Sequence, residues 1–142
     1  MPLSGFNARQ ALRGQSMVRA ADAMLRVLGG TEVWLRLPGP PMGEATAIEL
    51  GLAQPVIEDV PVSPVVILPL TADPRRSRLR YDLLFSASSV NRLMDTRGFD
   101  SVEALFNGAL GVIFDDKLLH VESLAAEMFG GVACLYRVTA TE

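Results

Sequence analysis

Tyr81-Asp82-Leu83-Leu84-Phe85, Val112-Ile113-Phe114-Asp115-Asp116-Lys117-Leu118-Leu119-His120-Val121-Glu122-Ser123 and Leu135-Tyr136-Arg137-Val138 decide how this chain folds. These runs read as strands. Asp115-Asp116-Lys117 interrupts two apolar stretches and has the composition of a hairpin connection, although it lacks the glycine that the tightest turns favour. Phe129-Gly130-Gly131 marks a second hairpin. Connections this short cannot serve the crossovers that parallel strands need, so the sheet is expected to be mainly antiparallel.

Between the first of these strands and the rest lies a helical insertion, expected over 88–108. Ser88 or Ser89 is placed to cap a short helix carrying Val90, Leu93 and Met94, and Gly98 punctuates it. A second short helix is expected to begin with Asp100, whose stretch Asp100-Ser101-Val102-Glu103 has the side-chain types of a capping box. It should bury Leu105 and Phe106 and stop near Gly108.

Upstream, Thr31-Glu32-Val33-Trp34-Leu35-Arg36-Leu37 alternates, with Val33, Leu35 and Leu37 on one face and Trp34 on the other. The β-branched stretch from Pro55 to Leu70 also reads as strand, with Val65 to Leu68 its best central piece. Pro61, Pro64 and Pro69 direct it to edges, bulges or strand starts. Residues 42–54 fit either a helical turn or two or a crossing loop. From Asn7 to Leu28, apolar residues recur at three- and four-residue spacings between Arg9, Arg13, Arg19, Asp22 and Arg26, the pattern of an amphipathic helix closed by Gly29-Gly30.

The 142 residues suit one domain, with the helix over 7–28 and a barrel over 31–142. The fold class expected is α+β: a small, mainly antiparallel β-barrel or sheet with an N-terminal amphipathic helix and a short helical insertion. A net charge of −3 argues against a protein that grips phosphate backbones, since such binding draws on clustered cations. No apolar run reaches the roughly 20 residues a bilayer crossing needs. Of the cations only Lys117 is lysine; the others are arginines, which suit carboxylate pairing at interfaces.

Chemistry finds little footing. Cys134 is the only cysteine and His120 the only histidine, which removes an intrachain disulfide and most zinc sites, and the compartment expected is the cytoplasm. Glu122 is the one acid expected on the same strand face as His120, and no nucleophile accompanies them. Ser86, Ser88 and Ser89 lack a nucleophile elbow. The glycine pairs lack phosphate-loop spacing, and the acidic residues lack a calcium-loop pattern. No cofactor, metal or catalytic residue is therefore assigned. A partner surface is assigned instead to outward-facing Trp34, to the arginine loop of Arg75, Arg76 and Arg78, and to the acidic turn of Asp115 and Asp116.

The layout carries a resemblance. Leu84-Phe85-Ser86-Ala87-Ser88, the helical insertion, Gly111 through Leu119-His120-Val121-Glu122-Ser123, the Gly130-Gly131 turn and the closing Tyr136-Arg137-Val138 together resemble the head-tail joining proteins of tailed phages, also called head-closure or stopper proteins. It covers Arg80 to Glu142 and rests on strand and turn patterns. The resemblance implies a small β-barrel that forms a ring beneath portal and adaptor, closes the DNA exit channel and offers a docking surface to tail proteins. It also implies a bacterial cytoplasmic origin during assembly and a place in the virion neck. The chain departs from the shortest members in its N-terminal helix and its insertion. Two other classes compete: a small-ligand or peptide-binding barrel, and a small hydrolase using His120 with Glu122.

Overall fold

The computed structural model describes residues 2–39, 49–51, 56–70, 75 and 78–142, with only the backbone described over 2–11. Helix α1 (Pro2–Val27) leads into β1 (Thr31–Pro38), followed by β2 (Ile57–Pro69) and β3 (Arg80–Ser86). Two short helices follow, α2 (Ala87–Arg97) and α3 (Val102–Gly108). Strands β4 (Gly111–Phe114), β5 (Lys117–Phe129) and β6 (Val132–Thr141) complete the fold. All strand pairs are antiparallel, and the sheet closes on itself in the order β1-β2-β3-β6-β5-β4. The expected small antiparallel barrel is the fold observed.

Strand alternation fills the barrel with apolar side chains. Val33, Leu35 and Leu37 of β1 meet Val62 and Val65 of β2, Leu83 and Phe85 of β3, Val112 of β4, Leu119 of β5 and Tyr136, Val138 and Ala140 of β6. A small barrel with an interior just wide enough for side chains is a packed core rather than a channel. The β3–β4 connection has to cross one open end of the barrel. It does so through α2 and α3, whose Val90, Leu93, Val102, Leu105 and Phe106 close that end as a plug.

Capping residues fix where the plug begins. Ser86, not Ser88 or Ser89, is the N-cap of α2: its Oγ accepts from the Ser89 N–H at 3.3 Å, while Gly98 ends the helix with φ 72°. Likewise Ser101, one residue past Asp100, caps α3 by accepting from the Ala104 N–H at 3.1 Å. In both places the hydroxyl nearest the last extended residue takes the cap, because the cap must itself hold a β-region backbone.

Pro61 and Pro64 of β2 sit at an edge and a bulge, as expected. Within this 13-residue strand β1 pairs the first half and β3 meets only Val65–Pro69, so Pro61 has a neighbour on the β1 side alone. Register places the bulge. Val33 faces Val62 and Thr31 faces Val65, so Ser63 and Pro64 together oppose Glu32 as a bulge, and a bulged proline forfeits no ladder bond.

Helix α1 lies on the outside of the barrel. Leu25 is fully buried against Val66, Leu84 and Leu135, the outward-facing residues of β2, β3 and β6. The Ser86 hydroxyl donates to Asp22 Oδ1 at 2.6 Å and ties the helix to the start of the plug.

Candidate functional site

Strand direction gives the barrel two poles. The plugged pole holds the ends of β1, β3 and β5 and the starts of β2, β4 and β6; the opposite pole holds the β2–β3 connection and the β4–β5 turn. The residues singled out from the sequence fall in three places. Trp34 stands on the outer wall, 42% exposed, between Pro61 of β2 and Ile113 of β4. Arg75 and Arg78 are exposed in the β2–β3 connection, while Arg76 lies outside the described residues. Asp115 and Asp116 form the β4–β5 turn, at the same pole as Arg75 and Arg78 but across the barrel.

That turn is tight. Phe114 pairs with Lys117, and Asp115 and Asp116 hold φ of 52° and 60°, the pair of positive values a type I′ hairpin requires. Aspartate can occupy the left-handed region because its short polar side chain is tolerated there. Among the described residues neither carboxylate forms an ion pair. Lys117 turns instead to Glu142 at 3.1 Å, and this hydrogen bond raises the lysine pKa.

Beside Trp34, Arg36 grips Asp59 through two bonds of 2.9 and 3.1 Å across the β1–β2 ladder. The guanidinium bonds hold the Asp59 carboxyl below its ordinary range and raise the arginine in turn.

Two features were not read from the sequence. At the plugged pole the tip of the β5–β6 hairpin meets α1, where Gly14 sits so close to Val132 that a Cβ on it would approach Val132 Cγ2 to 2.5 Å. The 12 residues of α1 from Pro2 to Arg13 continue about 18 Å past that contact at 1.5 Å per residue. An apolar cleft of about 500 Å³ opens there, lined by Leu12, Arg13, Ser16, Met17 and Phe129. Leu12 is 63% exposed, Phe129 is exposed across the cleft from it, and Met128 is exposed next to Phe129 in the chain. The amphipathic pattern of α1 signalled a buried face, but only the docking of Gly14 on the hairpin shows which apolar residues are left over.

The second feature is a cleft of about 280 Å³ between β2 and α2, lined by Val60, Pro61, Val62, Ser63, Ser89, Arg92, Leu93, Thr96 and Arg97. Valines, proline and leucine form its apolar lining. Ser89 donates to the Ser63 carbonyl at 2.6 Å and pins the helix to the strand at one side, while Arg97 pairs with Glu58 at the other. Among the described residues Arg92 has no carboxylate partner.

The groups weighed for chemistry are dispersed. His120 is exposed on β5, and the Glu122 expected to accompany it bonds Arg80 at 2.9 Å. Ser86 is a helix cap, and Cys134 is a buried free thiol. Among the described residues no three His, Cys, Asp or Glu side chains gather in a metal-holding group. Among the described residues no helix is long and apolar enough to cross a membrane. Comparison with protein-family models, curated proteins and solved structures finds no match to this chain.

Proposed function

We propose that this protein is a structural subunit of a phage or prophage neck that joins head to tail, forming a ring as a head-closure subunit does. The observation that carries the reading is the projecting pair of α1 and the β5–β6 tip, with Leu12, Met17 and Phe129 presented to solvent around one cleft and Met128 exposed next to Phe129 in the chain. Apolar residues clustered on a projection, and not scattered singly over a surface, mark a place where another protein docks. The six-stranded barrel accords with the small barrel that the resemblance over Arg80–Glu142 implies, and its filled interior leaves the outer surfaces to act. In this reading portal, adaptor or tail components are the partners, duplex DNA passes through the middle of the ring, and the mildly acidic subunit does not grip it.

Negative-stain electron microscopy of the concentrated protein tests the proposal. Closed rings with a central opening are expected. Single particles of subunit size at every concentration, with no ring, would overturn it.

A further inference from the structure

We propose that the cleft between β2 and α2 receives the Asp115-Asp116 turn of a second copy of this chain. The inference rests on the ring reading and adds to it the contact by which neighbouring copies join.

The cleft and the turn are complementary in charge, size and position. Among the described residues Arg92 stands in the cleft without a carboxylate partner, whereas Arg97 beside it is already met by Glu58. At the turn, Asp115 and Asp116 project two carboxylates that form no ion pair among the described residues, on a backbone held by a type I′ hairpin. A rigid turn loses little conformational freedom on docking. The cleft volume of about 280 Å³ lies at the lower limit of small-molecule pockets, about 300–1,000 Å³, and suits the tip of a turn better than a cofactor.

Position decides what such a contact builds. Around the barrel β2 lies opposite β5, so the cleft beside β2 and the β4–β5 turn are on opposite walls. Along the barrel they also differ: Val60 to Ser63 lie toward the plugged pole, and the turn is at the other pole. No single copy can satisfy its own pair. A patch that meets a different patch on the next copy is a head-to-tail interface, which closes into a ring when the rotation permits and otherwise runs on as a filament.

The test uses two variants of the full chain, Arg92→Glu and the double variant Asp115→Asn with Asp116→Asn, followed by sedimentation velocity over a concentration series. Asparagine keeps the left-handed backbone of the turn and removes only its charge. Each variant should melt like the native protein; Arg92→Ala replaces Arg92→Glu if the latter does not. Alone, each should weaken self-association about tenfold or more, as loss of a rigid charged contact does. Mixed, they should recover one contact, because the Asn variant retains the cleft and the Arg92 variant retains the turn. The mixture should therefore give heterodimers and nothing larger. Native assembly that neither variant alters overturns this contact and leaves the ring reading standing. Weakened assembly without heterodimers on mixing also overturns it. A native chain that stays monomeric overturns both.

Discussion

The rings of Phe85 and Phe106 meet edge to face, their centroids 5.1 Å apart and their planes inclined at 70°. Phe85 belongs to β3 and Phe106 to α3, so this one pair joins the barrel wall to its plug. Both rings are essentially inaccessible to solvent.

Removing either ring opens a cavity where strand and helix should touch. Phe106→Ala is expected to lower stability by about 3–5 kcal/mol, since large-to-small changes in a core lose both transfer energy and packing. Phe106→Leu should cost distinctly less. Urea denaturation followed by far-UV circular dichroism measures both, and equal losses would place the contact outside the cooperative core.

The contact between α1 and the hairpin depends on a missing side chain. Gly14→Ala raises helix propensity by about 1 kcal/mol, yet its Cβ would fall 2.5 Å from Val132 Cγ2. The clash should prevail: the variant is expected to release α1 from the hairpin and speed amide exchange between Arg13 and Val18. Adding Val132→Ala should restore protection. If Gly14→Ala exchanges like the native chain, the helix does not rest on the hairpin as described.

Ser86 serves two helices. Its Oγ caps α2, and its hydroxyl hydrogen goes to Asp22 of α1. Ser86→Ala should cost at least the ~1 kcal/mol of an ordinary cap, with the half-buried Asp22 bond lost in addition. A double-mutant cycle with Asp22→Ala, read from denaturation midpoints, should show coupling; strictly additive losses would exclude the link.

Stability should fall at both ends of the pH range, for opposite reasons. Asp59 has a folded-state pKa below its ordinary 3.8 because Arg36 bonds its charged form. The folded state thus holds this proton less tightly, and the contribution is present above 3.8 and lost as pH falls through the depressed value. Tyr136 lies above its ordinary 10.0, because burial and then the nearby Glu103 charge disfavour the phenolate. Its contribution is complete below 10.0 and lost as pH rises through the raised value. Denaturation midpoints against pH should show an acid limb that Asp59→Asn flattens and an alkaline limb that Tyr136→Phe flattens.

Much of this fold is legible because local rules and burial agree. In β1 the alternation of Val33, Leu35 and Leu37 against Trp34 and Arg36 matches the faces observed. Gly98 ends α2 where the sequence marked a break, and Gly130-Gly131 turns the last hairpin. The prolines of β2 were legible as edge or bulge residues, but a single sequence does not show the Thr31 and Val33 register that puts Pro64 in the bulge. The surfaces were least legible. Asp115 and Asp116 stand out as an acidic turn, whereas nothing local in the sequence singles out Arg92, which the packing of α2 beside β2 places in a cleft. Exposure of Leu12 and Phe129 likewise depends on tertiary docking, which periodicity alone does not encode.

Light scattering coupled to size exclusion, on the native chain over a wide range of concentration, tests most directly whether the molecule works by assembling with itself. The account predicts a mass that climbs with concentration to a fixed multiple of the 15.3 kDa chain. A mass that stays at one chain throughout would contradict it.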